Sequence, residues 1–173
     1  MRFHEFGLVI LLAMAAPVAP VKADEDGLVY SNRQTEICLA NAGDLSVAKD
    51  CIGASANACM EATPGGYSTY GMGGCISREL TYWDDRLNAS YRAAMARAKS
   101  DDRDMGAGEN GPPSQAVALR DMQRAWIPFR DATCGWEYSK WGGGTGGGPA
   151  MAGCLMRMTG EQTLVLEAQS TGY

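Results

Sequence analysis

Six cysteines behind an apolar leader restrict what this chain can fold into more than any other feature. Cys38, Cys51, Cys59, Cys75, Cys134 and Cys154 are the full set in 173 residues. Ahead of them, Arg2 gives a positive start, Gly7 to Ala16 is a compact apolar run, and Val21-Lys22-Ala23 offers a cleavage site. That order reads as a secretory signal peptide over residues 1–23, with a mature, exported chain from Asp24. The run is too short for a membrane span, no second one follows, and no cysteine stands at the cleavage point to carry a lipid. In an oxidising compartment an even set of cysteines forms disulfides by default. Sequence alone leaves all fifteen connectivities open. Neighbour pairing is the preferred reading: Cys38 with Cys51, Cys59 with Cys75, Cys134 with Cys154. The last two bridges would each contribute roughly 3 kcal/mol by restricting the unfolded chain. A zinc site is the competing reading, and no C-x-x-C spacing supports it.

The histidine and charge content narrow the function. The single histidine is His4, inside the leader. A mature chain without imidazole excludes Ser-His-Asp, Cys-His and His-ligated metal chemistry. Removing residues 1–23 takes Arg2, Lys22 and Glu5, so the net charge moves from -5 to -6. An acidic chain is a poor match for nucleic acid, whose phosphates demand a basic face. It suits a basic protein partner, although the charge also serves solubility alone.

Helical periodicity runs through the rest. Asp24 to Tyr30 is expected to be a mobile polar arm. Ser31, with Gln34 three residues on, predicts a capped helix to Ala42 that stops at Gly43. Asp44 is placed to cap a second helix carrying Leu45, Ala48, Ile52, Ala56, Cys59 and Met60. Thr63 to Gly74, rich in Gly, Pro, Ser and Tyr, reads as an irregular linker whose Tyr67 and Tyr70 cover the core. A long helix is predicted from about Cys75 to Lys99, with Ile76, Leu80, Trp83, Leu87, Tyr91, Ala94 and Ala98 on one side. Ser100 to Pro113 reads as an exposed turn. Ser114 then caps a helix whose Leu119, Met122, Trp126, Phe129, Thr133 and Trp136 form a coiled-coil-like stripe facing another helix, with a kink at Pro128. Trp141 to Pro149 is a glycine-rich connector. A last helix carries Met151, Leu155, Met158, Val165 and Leu166, weakened by Gly160 and fraying after Gln169. The segment from Gln123 to Cys154 supplies an apolar face, a turn and two cysteines, and so reads as the organiser of the fold. The expected class is all-α: a small antiparallel helical bundle of three main helices plus short N-terminal helices, stapled by disulfides.

Several residues together resemble a known family. They are Cys75, Asp84, Leu87-Asn88 and Tyr91, then Gln123-Arg124-Ala125-Trp126-Ile127 and Phe129-Arg130-Asp131 ahead of Cys134, then Cys154-Leu155-Met156-Arg157 and Thr159. This set resembles the LprI-like N-terminal domain family, small exported bacterial proteins related to a lysozyme inhibitor. The resemblance covers about Cys59 to Gln169. It implies a location in the bacterial envelope, in the periplasm or outside the cell, a helical disulfide-stapled fold, and a lysozyme or another envelope protein as partner. The implied organisation is a signal peptide over 1–23, an N-terminal helical extension over 24–62 with Cys38, Cys51 and Cys59, and the LprI-like helical domain over 63–173. Gln162 departs from the arginine that relatives often carry, so an ion pair there is in question.

The chemistry-bearing residues favour binding over catalysis. The glycine-rich connector, Gly142 to Gly148, has no lysine or Gly-Lys-Ser/Thr ending and is not a phosphate loop. Flanked by Trp136, Tyr138 and Trp141, and carrying Thr145, it is the candidate binding loop. Arg130 is placed to pair with Asp84 or Asp85 across two helices, fixing their register. Glu79, Asp84 and Asp85 could serve a glycosidase-like carboxylate pair, but they are expected on an exposed helix face without a pocket to raise one pKa. The reading is therefore an exported envelope binding protein, with a lysozyme inhibitor foremost. A structural or stress-related role with another protein or cell-wall partner comes next, and a carboxylate-dependent hydrolase last. No cofactor, metal or nucleic acid is expected.

Overall fold

The structure, a computed structural model, describes residues 26–108 and 110–170. The expected leader and cleavage site fall outside the described residues, as do residues 171–173. Among the described residues there are six helices and no strand. They are α1 (Arg33–Asn41), α2 (Leu45–Asp50), α3 (Ala54–Ala62), α4 (Thr69–Met105), α5 (Gln115–Ser139) and α6 (Gly147–Ser170). None of these helices is long and apolar enough to cross a membrane. The three disulfides join Cys38 to Cys51, Cys59 to Cys75 and Cys134 to Cys154, the neighbour pattern.

The centre of the bundle is the pair α4 and α6, rather than the segment from Gln123 to Cys154. Trp83 is fully buried on α4, and Leu87 nearly so. They meet a helix that is buried around most of its girth: Met156, Met158, Thr159, Gly160, Thr163, Leu164 and Leu166 all lie inside. Thr163 is accommodated there because its hydroxyl donates to the Thr159 carbonyl one turn back, at 2.8 Å. Leu39, Leu45 and Ala48 from α1 and α2, and Ile52 from the turn between α2 and α3, pack against this core. Gly160 has a purpose beyond weakening its helix. A Cβ there would stand 2.8 Å from Ile52 Cδ1, so its absence lets Ile52 seat directly on the α6 backbone.

Local chemistry sets the element boundaries, and several differ from expectation. The second helix breaks into α2 and α3 at Gly53, whose φ of 101° is left-handed and outside any helix. The Asp44 cap holds, accepting from the Ser46 and Val47 N–H groups at 2.8 and 3.0 Å. The first helix starts after Asn32, which makes no side-chain cap bond, and ends with Ala42 as its C-cap. The supposed linker is short. Ser68 caps α4 by accepting from the Gly71 N–H, and the helix runs through Gly73 and Gly74 to Cys75. Leu28 fills the space beside Gly74, where a Cβ would lie 2.6 Å from Leu28 Cδ1. Leu28 is itself buried with Cys59 and Cys75, so the N-terminal arm is tied down rather than loose over its described residues. The Val29 N–H donates to Thr63 Oγ1, and Arg78 pairs with Asp26 at 2.9 Å. Tyr67 and Tyr70 are exposed and do not cover the core.

Helix α4 continues to Met105, six residues past Lys99, and Asp102 explains why. Its carboxylate accepts from the Ser114 hydroxyl (2.6 Å) and from the Gln115 and Ala116 N–H groups (2.7 and 3.1 Å). It therefore caps α5 from the neighbouring helix, while Ser114 accepts from the Val117 N–H. The anticipated stripe on α5 is only half used. Trp126 packs inward and Cys134 is fully buried, but Met122, Phe129 and Trp136 are exposed.

Candidate functional site

The α5–α6 junction is built around the buried Cys134–Cys154 bridge. Met158 places its sulfur 3.8 and 4.0 Å from the two cysteine sulfurs, with Trp126, Met151 and Leu155 around them. The connector beyond it is wound rather than slack. Successive turns are closed by Trp141 N–H to Tyr138 C=O, Gly144 N–H to Trp141 C=O and Gly147 N–H to Gly144 C=O. Two neighbouring glycines seat two rings. A Cβ on Gly146 would come within 2.2 Å of the Trp141 ring, and one on Gly147 within 3.0 Å of the Tyr138 ring. Glycine is thus needed here for close approach, and the rings are held while still 48 % and 50 % exposed for Tyr138 and Trp141. Thr145 is exposed at the tip.

Trp136 does not join this loop. Residues two apart on a helix point about 200° away from each other. Trp136 therefore looks out from the opposite side of α5 to Tyr138. There the Lys140 ammonium, held by Glu137 at 2.7 Å, lies 3.8 Å from the Trp136 ring centre.

Arg130 and Asp84 line one cleft of about 250 Å³ with Leu80, Thr81 and Leu155, but no ion pair joins them. Arg130 instead donates to Asp131 Oδ1 at 2.9 Å and to Thr159 Oγ1 at 3.3 Å, with its guanidinium 5.0 Å from the Trp126 ring centre. Asp84 accepts from Asn88 one turn along its own helix. The cross-helix ion pair is formed elsewhere, by residues that the sequence reading did not single out. Arg86 Nε and Nη2 donate to the two oxygens of Glu167 at 2.8 and 3.0 Å, Nη1 donates to the Tyr82 hydroxyl, and Ser90 donates to Glu167. The Glu167 carboxylate raises the Arg86 pKa despite partial burial. Gln162 makes a neutral bond, donating to Gln123 Oε1 at 3.1 Å.

The three candidate carboxylates do not form a catalytic group. Asp84 and Asp85 are exposed, whereas Glu79 is completely buried, contrary to the exposed face expected for it. Its Oε1 accepts from the Thr35 hydroxyl (2.8 Å), the Gly53 N–H (2.8 Å) and the Trp83 indole N–H (3.0 Å), and its Oε2 from the Ala56 N–H (2.7 Å). Gly53 has no side chain to cap α3, so Glu79 does it from α4. Thr35 and Ser55 add a reciprocal pair, each hydroxyl accepting the other residue's N–H. Burial, and then the nearby Glu79 charge, push the Tyr30 phenol well above its ordinary range. A carboxylate whose acceptor sites are filled by four fixed donors orders α1, α3 and α4. It has no free face for a substrate. Among the described residues no cluster of His, Cys, Asp and Glu could hold a metal ion.

Comparison with known proteins identifies a family and two relatives. The family described as lysozyme inhibitor LprI matches residues 59–166. An uncharacterised protein of Rhizobium meliloti strain 1021 is 29% identical over 93 residues, covering 54% of this chain and 67% of its own length. An uncharacterised 17.7 kDa protein in the puhA 5′ region of Rhodobacter capsulatus is 26% identical over 166 residues, 95% of this chain and 96% of that one. No solved structure is detectably similar.

Proposed function

Because the chain belongs to the lysozyme inhibitor LprI family, we propose that it is an exported envelope protein that binds a protein partner, with a lysozyme as that partner. The observation that carries this reading is the stapled loop with Tyr138, Trp141 and Thr145 at its surface. Half-exposed Tyr and Trp side chains in a pre-ordered loop bind at low entropic cost, and such residues dominate binding hot spots. A net charge of -5 for the full chain, and -6 from Asp24 onward, complements a basic enzyme and favours encounter with it. Trp136, on the other side of α5, stands outside this surface.

The test is a cell-wall lysis assay with the oxidised chain from Asp24 onward, titrated into lysozyme at about 50 and 300 mM salt. Stoichiometric inhibition that weakens at the higher salt is expected. Trp141→Ala should raise the inhibitor concentration needed at least about 30-fold while leaving the melting temperature in place. Absence of inhibition at micromolar protein would remove lysozyme as the partner. A search among other envelope proteins, the structural or stress-related reading, would then take its place.

A further inference from the structure

Helix α5 carries a second apolar stripe that lies largely open to solvent: Met122 accepts from Gln162 Nε2 of α6 at 3.3 Å, the Lys140 ammonium lies over one face of Trp136, and the outer side of the line is uncovered. At about 100° per residue, Ala118, Met122, Ala125, Phe129, Ala132 and Trp136 fall along one line, at steps of four and three. All six are exposed, with Phe129 at 62 % and Trp136 at 63 %. Steps of four and three over five turns are the signature of a seam between two helices. No charged residue falls within the line.

The order of sizes along the line says what covers it. Large residues stand at 122, 129 and 136, and alanines at 118, 125 and 132. Reversing the helix about the level of Ile127 brings Trp136 opposite Ala118, Met122 opposite Ala132 and Phe129 opposite Ala125. Each large side chain then meets an alanine. A parallel pairing would set large against large and leave gaps between alanines, which packing at crystal-like density does not tolerate. The stripe is complementary to its own reverse, and that is the requirement of an isologous two-fold contact. We propose that α5 is the seam of a homodimer, two copies packing antiparallel about a two-fold axis at the level of Ile127.

The seam is about 27 Å long and covers roughly 500 Å² per copy, at the lower edge of specific interfaces. The dimer is therefore expected to be weak, with a Kd on the order of 10–100 μM. It goes beyond the binding loop: Tyr138 and Trp141 lie outside the seam, one loop at each end.

Sedimentation velocity on the oxidised chain from Asp24, between about 1 and 500 μM, tests the proposal. A concentration-dependent monomer–dimer equilibrium is expected. Ala125→Glu and Phe129→Lys should each weaken it at least about 100-fold, since each leaves an unpaired charge in an apolar seam. Both positions are exposed in the monomer, so the melting temperature at low concentration should hold. The double variant Ala125→Glu with Phe129→Lys should regain the dimer, because the antiparallel register sets position 125 against 129. A monomer throughout the range overturns the proposal, and so does a dimer indifferent to Ala125→Glu. Loss in both single variants without recovery in the double overturns the antiparallel register. Lysozyme inhibition by monomeric Ala125→Glu separates this seam from the loop, since neither Tyr138 nor Trp141 is altered.

Discussion

Glu79→Gln is the substitution whose effect the geometry defines most closely. The amide keeps one oxygen and turns its NH₂ toward one of the four donors. Oriented to serve the three donors on Oε1, it faces the Ala56 N–H donor to donor. One buried N–H is then unsatisfied, at about 1–3 kcal/mol, and three charge-assisted bonds become neutral, each losing up to about 1 kcal/mol. Relaxation makes such terms less than additive, so a net loss of about 3 kcal/mol is expected. For a chain of this size that corresponds to about 6–12 °C in melting temperature. Glu79→Leu should be worse, because it leaves all four donors without a partner in a site that excludes water. Thermal unfolding followed by circular dichroism reads the global effect. Hydrogen exchange reads its location: the Gly53, Ser55 and Ala56 amides should lose protection first, with α5 and α6 unaffected. A drop under about 2 °C for Glu79→Gln, or exchange that rises evenly over the molecule, would refute the view that this carboxylate ties α1 and α3 to α4.

Asp102 gives a pH-dependent test. The Ser114 hydroxyl foremost, helped by the Ala116 and Gln115 N–H groups, holds its carboxyl below the usual range against the opposing effect of desolvation. A folded-state pKa below the unfolded one adds stability that is present above about pH 4 and lost as pH falls through the folded value. Asp102→Asn should therefore lower the melting temperature at neutral pH and flatten its acid dependence; an unchanged acid slope would contradict the capping role. Replacing Cys134 and Cys154 together by alanine removes a bridge of sequence separation 20. The expected cost is about 3 kcal/mol, with loss of inhibition because the loop is no longer held; full inhibition at unchanged potency would show that the loop needs no staple. Arg130→Ala should cost about 1 kcal/mol through its contacts with Trp126 and Thr159, whereas Asp84→Ala should stay within about 0.5 kcal/mol. A double-mutant cycle on the two should show coupling under about 0.5 kcal/mol, and a larger value would restore a direct pair.

What the sequence made legible is what local chemistry decides. Helix existence, the caps at Asp44 and Ser114, and neighbour bridging of the cysteines all rest on residues close together in the chain. The misreadings arise where a distant residue supplies the missing piece. Gly71, Gly73 and Gly74 look like a loop until Leu28, more than forty positions earlier, fills the space at Gly74. Lys99 followed by polar residues looks like a helix end until Asp102 is seen to cap the next helix. Glu79 reads as solvent-facing because it is charged, yet the sequence carries the contrary signal. Cys75, Glu79, Trp83, Leu87 and Ser90 are the buried line of α4, at steps of four, four, four and three, and a carboxylate inside such a line requires donors. The broad stripe of α5 shows the reverse limit. Its period is correct, but a single sequence does not say which edge the neighbouring helix takes. Helix α6 turns Trp126 and Cys134 inward, and the edge bearing Phe129 and Trp136 is left outside with its alternation of large residues and alanine intact. Solubility alone would be served better by charged residues there. An unburied, uncharged line whose sizes interlock with their own reversal is what a two-fold contact between α5 helices requires.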